Sequence, residues 1–155
     1  MNKLLLIIPL LLILGGIALG KLVDYLSNPL TYRIQVDSPI QLSDFSGSTT
    51  VHGGDEQTYS YSVTNKANRD ISGVFKFIIH EPDTPTENDA DAILTIGDKT
   101  ITPQKDVNET TKDLIFTSGT ITLKAGDTVK AEWRITFNPR LEPGNYSFET
   151  QVVPG

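Results

Sequence analysis

Apolar and polar residues alternate strictly along residues 129–137, and this alternation constrains the fold more than any other feature of the chain. Five apolar residues share one parity: Val129, Ala131, Trp133, Ile135 and Phe137. The four residues between them are polar: Lys130, Glu132, Arg134 and Thr136. Successive side chains of a strand point to opposite faces, so this pattern predicts a strand with one buried and one hydrated face. Trp133 lies at the centre of the apolar face, and we expect it in the core.

The same period of two returns in short segments throughout the chain after Pro29. These segments are Tyr32 to Val36, Tyr59 to Val63, Val74 to Ile79, Ile93 to Thr102, Leu114 to Leu123 and Tyr146 to Val152. Gly97-Asp98 divides one of them into two short runs and predicts a tight hairpin. The segment that contains Gly119 is interpreted either as one strand or as a bulged pair.

Clusters of turn-forming residues separate these segments. They are Gly53-Gly54-Asp55, Asn65 to Asp70, Ala125-Gly126-Asp127 and Glu142-Pro143-Gly144-Asn145. No stretch after Pro29 carries apolar residues at helical spacing, so we predict an all-β domain. Seven to eight short strands joined by turns favour an antiparallel β-sandwich, with a small closed barrel as the alternative.

Two segments near the C-terminus resemble a known family. "LKAGDTVKAEWRITF" (Leu123 to Phe137) and "LEPGNYSFETQVVP" (Leu141 to Pro154) are similar to the closing half of Ig-like domains in prokaryotic, especially archaeal, cell-surface proteins. Leu141, Pro143, Gly144 and Tyr146 also resemble the tyrosine corner of sandwich domains, in which a tyrosine hydroxyl bonds back to the backbone. The resemblance implies an Ig-like sandwich with a surface, scaffold or adhesive role.

A long apolar run opens the chain and predicts export. Leu4 to Leu19 contains no charged residue and follows Lys3, which is the layout of a signal peptide. The small residues Ala18 and Gly20 are compatible with cleavage before Lys21. Extended to Leu26, the same run approaches the roughly 20 residues that a membrane-spanning helix needs.

Both interpretations of this run place the rest of the chain outside the cytoplasm, because the basic N-terminus stays inside. We therefore expect residues 1–27 to form a hydrophobic helix that is either a transmembrane anchor or a signal peptide. Residues 28–155 are then an extracytoplasmic domain. The expected location is the cell membrane, with a single pass through Leu4 to Leu26, or the medium after cleavage.

The charge and the lack of cysteine exclude several classes of function. The chain carries 13 Lys and Arg against 19 Asp and Glu, a net charge of −6, and no basic run. Such a chain lacks the electrostatic footprint of a nucleic-acid-binding protein. Because it has no cysteine, it has no disulfide, zinc–thiolate site or thiol nucleophile, and its stability depends on burial and hydrogen bonds.

The sequence shows no recognisable catalytic set. His52, beside a Gly-Gly turn, and His80, at the end of a predicted strand, are its only histidines. It contains no G-x-S-x-G motif and no glycine pattern for phosphates or dinucleotides. We therefore predict that the chain is not an enzyme and takes no cofactor.

Two features predict sites of other kinds. The acidic stretch Glu81 to Ala92 contains Asp89 and Asp91, whose carboxylates are ligands that calcium prefers. Asn108 and Asn145 each begin an N-x-S/T sequon, which is meaningful in an exported chain.

These features together predict a membrane-anchored cell-surface protein whose extracellular Ig-like domain mediates protein interaction, adhesion or surface-layer scaffolding. Its expected partner is another protein or its own copies. One alternative is a secreted filament subunit, in which cleavage frees Lys21 to Val36 to insert as a strand into a neighbouring copy. The other is an accessory subunit of a membrane complex.

Overall fold

The computed structural model describes residues 37–48 and 50–155, which form nine β-strands and no helix. The strands are β1 (Ile40–Ser46), β2 (Glu56–Asn65), β3 (Ile71–His80), β4 (Ala90–Ile96), β5 (Lys99–Ile101), β6 (Gln104–Asn108), β7 (Asp113–Leu123), β8 (Thr128–Phe137) and β9 (Ser147–Pro154). Within these ranges there is no helix long and apolar enough to cross a membrane. The predicted N-terminal helix, the domain boundary at Asn28 and the predicted strand Tyr32 to Val36 lie outside the described residues.

The strands form two antiparallel sheets and confirm the predicted all-β sandwich. One sheet has five strands in the order β1-β2-β8-β4-β5, and the other has four in the order β6-β7-β3-β9. The count exceeds the predicted seven to eight. β1 and β6 were not predicted, because both are short and mostly polar and neither alternates cleanly.

The core lies between the two sheets, as the alternation predicts. Trp133 is fully buried on β8 and packs at 5.6 Å, between ring centroids, from Phe77 on β3. Its indole Nε1 donates a hydrogen bond of 3.0 Å to the hydroxyl of Tyr61 on β2. That hydroxyl also accepts a hydrogen bond of 2.6 Å from Thr150 on β9, and this second bond joins the two sheets inside the core.

The turns and bends follow the sequence signals closely. Gly97 adopts a φ of 59° in the tight β4–β5 hairpin, a conformation that suits glycine. β7 is a single strand, and its pairing with β3 shifts register between Val74 and Lys76, which is the bulge that Gly119 predicts. The hydroxyl of Tyr146 donates to the carbonyl of Glu142 at 2.5 Å, which confirms the expected bond from this tyrosine back to the backbone.

Candidate functional site

Within residues 37–48 and 50–155 the two sheets differ in width by one strand, and the difference lies at one edge of the sandwich. Tyr59 on β2 packs against Phe148 on β9 with ring centroids 5.2 Å apart, so β9 lies opposite β2. β9 is the last strand of its sheet among the described residues, whereas the facing sheet continues by one more strand, β1. β1 therefore projects beyond β9.

The core-facing side of β1 is apolar although no described strand lies beneath it. Ile40 and Leu42 pair with Asn65 and Val63, two fully buried residues of β2, and so share their inward face. A register shift then follows, and Asp44 within it has a φ of 58°. The extra residue of this bulge turns the next side chain, Phe45, back to the core side.

Phe45 is the one large hydrophobic side chain that is exposed among the described residues. Its ring stacks on the buried ring of Tyr59, with centroids 6.1 Å apart and an interplanar angle of 23°. Even so, 52% of Phe45 is accessible to solvent. The ring stays half exposed because no described strand of the facing sheet covers it.

A groove of about 650 Å³ runs between the projecting strand β1 and the edge strand β9. We call it the edge groove. Its walls are mostly apolar, with Ile40, Leu42, Ile71, Val152 and Val153 among the lining residues, and Ser38, Arg69 and Ser72 also line it. Among the described residues β9 has no partner strand on its outer side, and the backbone groups of such an edge are a template for a further strand. The edge groove thus combines an apolar wall with an available strand edge.

A second feature is an acidic cleft at the end of the sandwich where β3, β8 and β9 meet their loops. Burial raises the pKa of Glu81 to about 8, helped by a hydrogen bond to Asp89 and by that carboxylate's charge. The pKa of Tyr146 is raised by burial and then by Glu81, Asp89, Asp83 and Glu142. The adjoining cavity of about 370 Å³ is lined by residues 50–53 and 141–146 with Phe148.

The structure places the two predicted calcium ligands in different roles. Both carboxylate oxygens of Asp89 accept hydrogen bonds of 2.9 Å from Thr86, one from its backbone N–H and one from its hydroxyl. Asp91 forms an ion pair with Lys105, with 2.5 Å between Oδ1 and Nζ. Among the described residues no group of three or more His, Asp or Glu side chains is arranged to hold a metal. Calcium binding at Asp89 and Asp91 stays a prediction.

Both predicted glycosylation sites are exposed. Asn108 ends β6, and its Oδ1 accepts hydrogen bonds of 3.1 Å from the backbone N–H groups of Thr110 and Thr111. Asn145 lies in the connection between β8 and β9. Occupancy of these sequons stays a prediction.

A third feature, which sequence reasoning missed, centres on His80. Its Nδ1 lies 2.5 Å from Asp113 on β7, and its Nε2 lies 3.2 Å from Glu149 on β9. Burial acts to lower the pKa of His80, but the hydrogen bonds to these two carboxylates and their charges outweigh burial and raise it. Through these two contacts the ring links three strands of one sheet, β7, β3 and β9.

The same register places a serine next to this histidine. Ser147 on β9 and Asp113 on β7 are both directly opposite His80. In a Ser-His-Asp triad the Nε2 of the histidine faces the serine. Here Nε2 contacts Glu149 instead. Ser147, His80 and Asp113 therefore have the residue types of a triad but a different hydrogen-bond arrangement. No local sequence signal predicts the cluster, because its members are far apart in the chain.

Comparison with known proteins adds one likeness of fold. No protein-family model matches the sequence, and no curated protein matches it. A solved structure described as "AvmM Catalyzes Macrocyclization in Alchivemycin A Biosynthesis" is similar with a TM-score of 0.50 and 13% sequence identity. The match covers 75% of this chain and 88% of that chain.

This likeness contradicts the prediction that the chain is not an enzyme. That prediction treated a sandwich without a recognisable catalytic motif as the mark of a non-catalytic protein, and the matched structure shares the fold and is described as a catalyst. At 13% identity the likeness shows the fold alone. No reaction, substrate or residue role of that protein is therefore assigned to this chain. The resemblance to Ig-like cell-surface domains stays a prediction.

Proposed function

We propose that this chain is an exported cell-surface protein whose Ig-like β-sandwich binds a protein partner by accepting an extended strand in the edge groove. The observation that carries the proposal is the half-exposed Phe45 on the core-facing side of β1. A strand added beside β9 covers this ring and supplies hydrogen-bond partners to the β9 edge at the same time. Backbone pairing then provides affinity, and the apolar wall selects the side chains.

The proposed address rests on the apolar run Leu4 to Leu26, which follows the basic N-terminus. It holds the chain at the cell membrane with the sandwich outside. The acidic composition supports a role at a hydrated surface rather than on nucleic acid. A filament subunit and an accessory subunit of a membrane complex use the same groove and differ only in the occupant.

The test uses the full chain in its native membrane, with an epitope inserted at the exposed turn Gly97-Asp98, on the side of the five-stranded sheet away from β1. Protease added to intact cells reports on which side of the membrane the sandwich lies, because the protease removes the epitope only from a sandwich outside the cell. Native gel electrophoresis in mild detergent reports assembly. We compare the wild type with Phe45→Arg and with Thr122→Arg, whose site is exposed on the outer side of β7.

We expect the epitope to be lost from intact cells in all three chains. We expect a complex larger than the monomer for the wild type and for Thr122→Arg, and a monomer for Phe45→Arg. Protection of the epitope in intact cells contradicts the proposed address. Equal migration of all three chains contradicts binding in the edge groove.

A further inference from the structure

The geometry of the edge groove points to a particular occupant: residues 30–36 of a second copy of this chain, added as a strand along the free side of β9. This inference rests on the proposed function, because it names the partner that the groove accepts. Each copy then donates one strand and accepts another, so the contact is head to tail. A contact of this type does not close on itself unless the rotation allows it, and it generates open filaments.

The edge groove lies where one sheet extends past the other. Among the described residues one sheet has five strands and the other has four, and the groove lies beside β9 and beneath β1. One strand added next to β9 gives two sheets of equal width. Its inward side chains meet Leu42 and Phe45 from below and Val152 from the side. The inner faces of a β-sandwich pack about 10 Å apart, so a strand in the plane of β9 lies at the distance that covers β1.

Residues 30–36, "LTYRIQV", match the edge groove in their length and in their alternation of apolar and polar side chains. Leu30, Tyr32, Ile34 and Val36 share one parity, and Thr31, Arg33 and Gln35 share the other. As a strand, the segment presents four apolar side chains to the groove and three polar ones to solvent. Its seven residues span about 23 Å, close to the length of the eight-residue β9.

The direction of the chain distinguishes a second copy from the chain's own segment. Ser38 to Ile40, Leu42 and Val152 to Gly155 line the same groove, so β1 begins where β9 ends. The chain's own residues 30–36 lead directly into Asp37 and Ser38. In their own groove they run toward that end, which makes them parallel to β9. All seven strand pairs of the described residues are antiparallel.

A segment from a second copy has no such restriction. It enters at the Gly155 end and runs antiparallel to β9, which continues the pattern of both sheets. Antiparallel pairing is slightly more stable per residue than parallel pairing. The entering chain then leaves at the Ser147 end and continues into its own sandwich, which places successive copies along one line.

Charge also favours this arrangement. Residues 37–155 carry 10 Lys and Arg against 18 Asp and Glu, so two sandwiches repel each other face to face. Residues 21–36 instead carry Lys21 and Arg33 against Asp24 alone. The outward side of β9 includes Glu149, whose side chain is half exposed. Arg33 on the outward side of the added strand lies next to it and gives an opposite-charge pair.

The chain contains no cysteine, so engineered disulfides report this contact without background. We introduce Arg33→Cys into one full-length chain and, separately, Glu149→Cys, Gln151→Cys or Val153→Cys into another, which are the outward positions of β9. The two chains carry different epitopes and are co-expressed in the native membrane. Thr122→Cys, on the outer side of β7 in the same sheet, replaces the β9 cysteine as the matched control.

We expect an interchain disulfide between Arg33→Cys and one of the three β9 positions, and none with Thr122→Cys. A chain that carries both cysteines is expected to give a ladder of oligomers on a non-reducing gel, and Phe45→Arg is expected to abolish the ladder. Neighbouring strands bring Cα atoms within the range that a disulfide needs, so a negative result is informative.

Two results overturn the inference. In the first, the doubly substituted chain forms only an intrachain disulfide, which shows that its own segment fills the groove. In the second, no disulfide forms at any β9 position although the Phe45-dependent complex persists on native gels. That combination leaves the proposed function intact and assigns the groove to another protein. Loss of the complex in every arm contradicts the proposed function itself.

Discussion

Phe45 stacks on Tyr59 at 6.1 Å between ring centroids, yet the two rings differ completely in burial. Tyr59 is fully buried, whereas 52% of Phe45 is exposed. Both lie on the core side of adjacent strands in one sheet. The difference arises because β9 covers the position of Tyr59, and no described strand covers that of Phe45. The inner face of the five-stranded sheet is therefore core at β2 and candidate interface at the adjacent strand β1.

The first prediction follows from this difference. Phe45→Ala is expected to lower the free energy of unfolding by about 1 kcal/mol or less, because half of the ring is hydrated already. Phe77→Ala, which empties a fully buried position on β3, is expected to cost about 3–5 kcal/mol. Urea unfolding of both variants measures the contrast. Equal losses of unfolding free energy contradict the interpretation of Phe45 as a core-facing ring that no described strand covers.

The second prediction concerns the hydroxyl that joins the sheets. Tyr61→Phe keeps the ring but leaves the buried indole N–H of Trp133 without its acceptor. We expect a loss of about 1–3 kcal/mol, since an unsatisfied buried donor has lost its hydration with no compensation. Thr150→Val is the matched control, because it removes the second partner of the hydroxyl and leaves the indole bond in place. A loss for Tyr61→Phe no larger than for the control is evidence against this role.

The sequence predicted most of the long strands correctly for a physical reason. β2, β3, β7 and β8 each bury one face, β9 half-buries one, and burial of one face is what produces a period of two. The Tyr146–Glu142 bond and the Gly97 hairpin were predictable because both depend on residues close together in the chain. Local signals therefore account for most of the sandwich.

The candidate sites depend on relationships that no local signal carries. Among the described strands β1 pairs on one side only, and its sequence is mostly polar. Strict alternation from Ile40 and Leu42 predicts an outward Phe45, but the bulge at Asp44 turns its side chain inward. The edge groove depends on the relative widths of two sheets, which is a property of the whole topology. The acidic stretch was recognised, but the proximity of Tyr146 to Glu81 arises only when the β8–β9 connection folds over it.

The third prediction concerns Glu81 and alkaline pH. Its pKa is about 8 in the folded chain against an ordinary value of 4.5, so the folded state binds its proton more tightly than the unfolded state does. Stability is therefore expected to fall as the pH rises from about 4.5 to about 8, and to stay level above that. Glu81→Gln removes this dependence. We expect a gain of about 1 kcal/mol at pH 9, limited because part of the carboxyl remains hydrated.

Urea unfolding of the wild type and Glu81→Gln at pH 5, 7 and 9 measures this effect. Glu87→Gln, on an exposed residue of the same acidic stretch, is the control and is expected to leave the pH profile unchanged. A constant difference between Glu81→Gln and the wild type at all three pH values contradicts a raised pKa at this position.

The fourth prediction concerns the charge cluster on the outer side of the four-stranded sheet. The pKa of His80 is raised above its ordinary 6.5, so its contribution to stability is fully present below pH 6.5 and is lost as the pH rises through the higher folded value. The pKa of Glu149 is lowered by its hydrogen bonds to Gln151 and His80. Its contribution is fully present above pH 4.5 and is lost as the pH falls through the lower folded value.

The two dependences overlap between about pH 4.5 and 6.5, and the cluster is expected to stabilise the sheet most in that window. His80→Gln is expected to cost about 0.5–1 kcal/mol at pH 5.5, a modest value because the ring is partly hydrated, and less at pH 8.5. His52→Gln, in an exposed turn, serves as the matched control. Because His80 ties β9 to β3 next to the proposed strand addition site, the same variant also tests whether that edge must be held rigid. If His80→Gln loses stability equally at both pH values, the cluster acts through packing rather than charge.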